Sequence, residues 1–584
     1  MSIAAIANTG LSAALSAAVT NFTSNLTAIS NLPQHLTNGA SQLGTLAAPN
    51  LPTNWLSHSG SGAPWGQERS YDFTIARGTI APDGYEKDVL LINGQFPGPT
   101  IEANWGDIIT VTVNNAITGP EEGTALHWHG LIQTDTPWED GVPAVSQCPI
   151  APGKSLTYSF IADLYGTSWY HSHYSAQYAG GLIGPMIIHG PDSAQYDIDL
   201  GPVLLTDYYH KAYFDILEEV MGTNLSLIAP KSVNNLINGK MDYNCSLVTD
   251  GTPCTNDAGL AKFQFTTGKT HRLRLINAGA EGIQKFSIDG HTMTVIANDF
   301  VPVRPYETEI VTLGIGQRTD VVVQATGNPA SVYWMRSTIS NCSLTIQPDA
   351  RAIIYYPSAP TNAKPNTTAW IDDTPQCAND PLSSTTPVFP ITPTPGPATT
   401  ITLTIGDTIN STGNFLWTVN SVSFRADYNS PLLLLANVGN TSYPYAPEWN
   451  VYNTGNASSV RLIVENNTPA AHPMHLHGHN MYILDEGLGS WDGSVVNSKN
   501  PQRRDVQLMQ PDGYMVVQYD AVNPGVWPFH CHIAWHVSGG LYINLLELPA
   551  EIAEYHPPAS SKQTCVDWAD YTNVDVVDQI DSGL

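Results

Sequence analysis

Four short segments of this chain each carry two histidines separated by a single residue: His127 and His129 in LHWHG, His171 and His173 in WYHSHY, His475 and His477 in HPMHLHGH, and His530 and His532 in FHCHIAWH. In a strand, residues i and i+2 project from one face about 6.6 Å apart, so each pair presents two imidazoles side by side and can serve two neighbouring metals. One such pair would mean little, because hydrogen-bonded histidines are common. Four of them among 18 histidines demand a fold that brings distant segments to one place. His479 lengthens the third run by one step and reads as a packing or supporting residue.

Neutral imidazole suits copper, zinc, iron and nickel, so the sulfur must choose among them. Cys531 lies between His530 and His532 and points to the opposite face of their strand, so one peptide serves a different metal site on each side. His536 follows five residues later, close enough for a short turn to return it to the thiolate, and His472 lies upstream. Together His472, Cys531 and His536 form the trigonal His₂Cys set of a blue copper centre. Zinc is disfavoured, because the C-x-x-C and related spacings of structural zinc sites are absent.

The rest of the chain is β-rich in character. Charged residues are only 13% of the 584, while 47 Gly and 43 Pro punctuate strand-like runs such as YDFTIARG, DIITVTVNNAI and SLTYSFIAD. A formal charge of −28 repels phosphates and anionic headgroups, which argues against nucleic-acid and membrane partners. No apolar run reaches the roughly 18 residues of a spanning helix. The length predicts several units. Strand patterns and breaks place them as an uncharged extension at 1–65, β units at 66–195 and 196–357, a Pro/Thr-rich connection at 358–400, expected to be extended and packed on the surface, and a last β unit with a polar tail at 401–584. Histidine pairs occur only in the outer units, which predicts that those two meet face to face while the middle one holds them in position.

The extension lacks the basic start of a secretory signal. Secretion is expected instead from cysteine usage and from sequons at Asn21, Asn25, Asn224, Asn244, Asn341, Asn366, Asn410, Asn440, Asn456 and Asn466. Six cysteines remain besides Cys531. They allow 15 pairings, although the spacing of Cys245 and Cys254 favours a local bridge.

The segments GTALHWHG, TSWYHSHYSAQ, HPMHLHGHN and WPFHCHIAWHVSGGL are similar to the four copper-binding stretches of the multicopper oxidases, and the resemblance runs through the chain from about residue 66. WEDGVPAVSQCPI, Cys148, Cys565 and a chain ending Asp-Ser-Gly-Leu make it look like an ascomycete-type laccase. That resemblance implies an all-β fold of three cupredoxin-like domains and four copper ions. The type 1 copper would take His472, Cys531 and His536, and the type 2 copper His127 and His475. One type 3 copper would take His129, His171 and His532, the other His173, His477 and His530. Leu541 stands where some relatives place a methionine as weak axial ligand, which implies a high-potential site.

The resemblance further implies proton delivery to the cluster by Asp140 and acceptance of a phenolic proton by Glu281, with substrate docking at the edge of His536. It pairs Cys148 with Cys565 and Cys342 with Cys377, and sends the tail from Asp581 to Leu584 toward the cluster, as in a processed form. Two positions depart from laccase patterns: Ala534 and Val233 stand where other laccases carry acids. The expected activity is that of a secreted, monomeric laccase that oxidises phenolic and related aromatic substrates with dioxygen. The alternative is a ferroxidase of the same architecture.

Overall fold

The computed structural model describes residues 66–439, 446–574 and 579–584, so the expectations for the 1–65 extension lie outside the described residues, as do the sequons at Asn21, Asn25 and Asn440. Strands assemble into six sheets that pair off along the chain: Glu68–Ile80 through Ile183–His189, Ile198–Tyr208 through Asp349–Tyr355, and Thr399–Ile409 through Tyr542–Glu547.

One topology recurs in all three units. The first strand lies between the second and fourth and runs parallel to the fourth, as Glu68–Ile80 does beside Ile108–Asn115. In the companion sheet the third strand sits at an edge, parallel to the last. Alternation explains the outer strands. In Ile108–Asn115, Ile109, Val111 and Val113 are buried while Thr110 and Thr112 face Ser159 and Thr157 on the next strand. Each such buried side chain contributes about 1.5–3 kcal/mol.

The histidine-bearing strands break that alternation. Leu126–Trp128, Gly166–Ser172, His472–Leu476 and Gly525–Cys531 are buried at every position, because one face packs on its own barrel and the other on a neighbouring unit. They occupy equivalent places, the fifth and the penultimate strand of the first and third units, and these two strands pair directly in each. In the middle unit the same two strands pair Gln284 with Ile339, so no histidine pair stands at those positions.

The connection expected to be extended and packed on the surface has no strand or helix between Tyr355 and Thr399 and buries Leu382, Thr385 and Phe389 against the units it crosses, where Phe389 O accepts from Arg503 of the third unit. It is a strap across two units. The polar tail is helical over Ala559–Thr572, with Ser561, Thr564 and Trp568 on one inward face. The polar composition hid this helix, since Trp568 supplies most of its apolar anchor and Cys565 ties it to Cys148 of the first unit. The bridges Cys245–Cys254 and Cys342–Cys377 complete the cysteines, leaving Cys531 free and buried. Asn466 is buried with its amide donating to Ala470 O and Gln510 O, so this sequon is structural rather than a glycan acceptor; Asn224, Asn244, Asn341, Asn366 and Asn456 are exposed.

Candidate metal centres

Each histidine pair sits where its strand ends, the second ring belonging to the residue just after the strand's last one. Within the pairs, ring centroids are 5.8 Å apart for His127 and His129, 5.8 Å for His171 and His173, 4.6 Å for His475 and His477, and 5.6 Å for His530 and His532. His127 lies opposite His171 across one strand pair, and His475 opposite His530 across the other. The two units then close on each other, bringing the rings of His127 and His477 to 4.1 Å and those of His129 and His475 to 4.0 Å.

Donor atoms group in four overlapping sets within this shell: His127, His475 and His477; His127, His129 and His171; His129, His475 and Asp505; and His173, His477 and His530. The last is the trio assigned to one type 3 copper. His127 with His475 matches the type 2 assignment, and His129 with His171 belongs to the other type 3 trio, whose third member, His532, has its Nε2 3.3 Å from His129 Nδ1. His479 is in none of these groups; its Nδ1 faces His477 O and its Nε2 lies 3.2 Å from Glu547.

Hydrogen bonds fix which ring nitrogen is free. Nδ1 meets a backbone carbonyl in His127 (Asp140 O, 2.7 Å), His171 (Ser172 O, 2.9 Å), His475 (Asp505 O, 2.9 Å) and His530 (Cys531 O, 2.7 Å). A carbonyl only accepts, so Nδ1 carries the proton and Nε2 keeps its lone pair for a metal. Nε2 of His127, His171 and His475 is accordingly buried with no hydrogen-bond partner, as are Nδ1 of His173 and Nδ1 of His532. Burial and the neighbouring rings push His129, His171, His173, His475, His477 and His532 well below the usual imidazole range, and burial takes His530 to about 4. Neutral rings with orphaned lone pairs converging on one space fit a cluster of metal ions.

The second centre lies across the same peptide. Cys531 Sγ is 3.5 Å from Nδ1 of His472 and 3.5 Å from Nδ1 of His536, and these two nitrogens are 3.1 Å apart. His536 comes from the short helix Ala534–Ser538 and is the one ligand of this set that is partly exposed. Trp417 packs on its ring at 4.3 Å. Burial raises the Cys531 thiol far above its ordinary range, so a bound metal ion would have to displace its proton to hold the thiolate. Leu541 is fully buried in the same apolar cluster as Cys531. Its backbone brackets both ligands, accepting from Cys531 N–H at 3.2 Å and donating to His536 O at 3.0 Å.

Asp140 is 1% exposed and meets two histidines from different units, His477 Nδ1 at 2.9 Å and His127 Nδ1 at 3.2 Å. The following residue must be glycine: Gly141 has φ +78°, and a Cβ there would stand 1.8 Å from Leu126 O. Glu281 is partly exposed beside the blue-copper set, and Ala534 N–H donates to the preceding Ala280 O. Burial, with Asp207 nearby, raises its carboxyl to about 8. Leu584 lines a cavity with His171, His173, His530 and His532, and Ser582 N–H donates to Ser538 O.

Several residues at these sites carry no sequence signal. Asp207 accepts from the backbone N–H groups of Ala280, Glu281 and Gly282, holding the loop that presents Glu281. Asp505 reaches His129 Nε2 at 3.1 Å and Arg318 at 2.5 Å, both fully buried. Breaking such a pair leaves an uncompensated buried charge, at a cost of about 3–5 kcal/mol. In sequence Asp505 is one acid in RRDVQL, indistinguishable from a solvated charge run.

Comparisons with known proteins agree with this geometry. Three family models, each described as multicopper oxidase, match residues 74–193, 199–359 and 410–551. The chain is 40% identical to oxidoreductase OpS5 of Beauveria bassiana over 89% of its own length and 88% of that protein. It is 37% identical to laccase-2 of Botryotinia fuckeliana, covering 91% of each. The crystal structure of the laccase from Botrytis aclada superposes with a TM-score of 0.81 at 37% identity, over 91% of this chain and 97% of that one. All-β cupredoxin-like units in threefold repetition, two histidine-rich centres joined through one cysteine, and matches over most of the length lead to one conclusion: the chain belongs to the multicopper oxidase family.

Proposed function

We propose that this protein is a laccase, oxidising phenolic and related aromatic substrates one electron at a time and reducing dioxygen to water. The observation that carries the reading is the Cys531 peptide: its thiol faces His472 and His536 while its covalent neighbours His530 and His532 face the other six paired histidines. The cofactors are four copper ions, one type 1, one type 2 and two type 3, which when bound supply one-electron oxidation at the first centre and four-electron reduction of dioxygen at the second. We assign His472, Cys531 and His536 to type 1, His127 and His475 to type 2, His129, His171 and His532 to one type 3 ion, and His173, His477 and His530 to the other.

Around those ions the protein's own groups have separate tasks. The partly exposed ring of His536 is the contact for substrate, and Trp417 on one side narrows the approach to it. Glu281 takes the phenolic proton or hydrogen-bonds the hydroxyl, held at that place by Asp207 through three backbone amides. Asp140 delivers protons to the cluster from its place beside two of the histidines. Burial of both centres excludes bulk water from all ligands except the edge of His536. Three disulfides and exposed sequons support an extracellular setting.

A ferroxidase would need carboxylates free to bind Fe(II) at His536. Among the described residues, Asp207 is committed to three amides, which leaves Glu281 as the carboxylate identified beside His536. The test is oxygen uptake by the copper-loaded protein, with its blue absorption followed, on a phenol, on Fe(II) and on ascorbate. Rapid uptake with the phenol is expected; uptake driven by Fe(II) and not by the phenol would establish the ferroxidase instead.

A further inference from the structure

The middle unit contributes no ligand, yet it forms one wall of the histidine cluster. Gly316 has φ +85°, and a Cβ there would approach His532 Cδ2 to 2.9 Å and His129 Cε1 to 3.1 Å. Two residues on, Arg318 joins all three units. Its Nε donates to Thr167 O of the first at 3.1 Å, Nη1 to Gly316 O of its own at 3.1 Å, and Nη1 and Nη2 to the two carboxylate oxygens of Asp505 of the third at 2.5 and 2.6 Å. Asp299 lies 3.5 Å from Nη1 and binds Arg504, so the junction is a closed network of two arginines and two aspartates. The pair fills the place of a side chain: a Cβ on Gly130, the glycine of LHWHG, would lie 2.6 Å from Arg318 Nη2 and 2.6 Å from Asp505 Oδ2.

Asp505 then reverses one ligand. Its Oδ1 meets His129 Nε2 at 3.1 Å, and an ionised carboxylate only accepts, so His129 carries its proton on Nε2 and keeps the lone pair on Nδ1. That is opposite to His127, His171, His475 and His530, whose Nδ1 atoms are the protonated ones. Nδ1 of His129 duly faces Nε2 of His532 at 3.3 Å.

We propose that Arg318 and Asp505 are positioning residues of the trinuclear copper site: Arg318 holds Asp505 in place, Asp505 fixes the tautomer and orientation of His129, and the ligand-free middle unit is thereby an integral part of that site. The proposal rests on His129 being a copper ligand.

The test compares the copper-loaded Arg318→Lys and Asp505→Asn enzymes with Arg272→Leu, which breaks another buried pair of the middle unit, that with Asp320. Copper per chain, the blue thiolate absorption, the type 2 electron paramagnetic resonance signal and the type 3 near-ultraviolet band are read on each. Arg318→Lys and Asp505→Asn should keep the blue absorption while losing about half or more of the cluster copper and its two signals, and Arg272→Leu should lose stability only. Full copper and unchanged cluster signals in both variants would overturn the proposal. So would loss of the blue absorption together with the cluster in both, since that is general unfolding. A His129→Ala enzyme that retained every copper would remove the ligand assignment on which the proposal stands.

Discussion

Asp140 places one carboxylate oxygen 2.9 Å from Nδ1 of His477 and the other 3.2 Å from Nδ1 of His127, joining a ring of the third unit to a ring of the first. A carboxylate so placed both orients the rings and can pass a proton into the space they enclose. Asp140→Asn keeps the shape and removes the carboxylate that would pass the proton. Its effect should appear only in the oxygen half of the cycle: bleaching of the blue colour by a phenol under anaerobic conditions stays within a few-fold of the parent, while recolouring on adding oxygen slows by about 100-fold or more. Equal slowing of both phases in stopped-flow absorbance would rule out this role.

The role proposed for Glu281 lies in the other half. Removing it in Glu281→Ala should lower kcat/KM for a phenol by about 100-fold, the usual scale of a lost general base, with little change for an electron donor that has no proton to give. Parallel losses on both substrates would count against it.

If Leu541 stands at the axial position of the proposed type 1 copper, its saturated side chain would offer no electron pair where a thioether would, and Cu(I) would be favoured over Cu(II). Leu541→Met should therefore lower the reduction potential of the blue centre in a redox titration and slow the oxidation of phenols that are hard to oxidise. A potential that holds or rises would refute the axial placement.

Glu139, one residue before Asp140, is buried at 6% exposure and accepts one hydrogen bond from Ser159 N–H. Burial raises its carboxyl from 4.5 to about 8. A carboxyl whose folded pKa exceeds its unfolded one binds more protons in the folded state, so stability is full below about pH 4.5 and declines as pH rises toward about 8. Glu139→Gln should abolish that decline: thermal melts of parent and variant should match at low pH and diverge in the variant's favour as pH rises. Curves that stay parallel would show that the carboxyl of Glu139 is not raised in the folded protein.

The tail is held beside the cluster by Ser175 N–H, Arg425 and Tyr428, and Leu584 faces four of its histidines. Deleting residues 581–584 should change the KM for oxygen and the rate of recolouring while leaving anaerobic bleaching alone. Unchanged oxygen kinetics would show that the tail is no plug.

By itself the sequence determined the chemistry of the ligands. Histidines two apart on a strand share a face, and a cysteine between them must face away; these are local rules of strand geometry, and they placed Cys531 between two centres without reference to the rest of the chain. Period-two alternation marked strands such as Ile108–Asn115, where one face meets solvent. It was silent for Gly525–Cys531, buried on both faces, and for the helix Ala559–Thr572, whose inward side is mostly polar.

Only the tertiary structure decided which ring nitrogen each histidine offers, because that depends on carbonyls and carboxylates brought from elsewhere in the chain. Asp140 reaches His477 and Asp505 reaches His129 across unit boundaries. Neither contact leaves a spacing to read. Arg318 shows the same limit most plainly: a buried arginine is tolerated only where its charge is met, and its partners come from three units that meet only when the chain has folded.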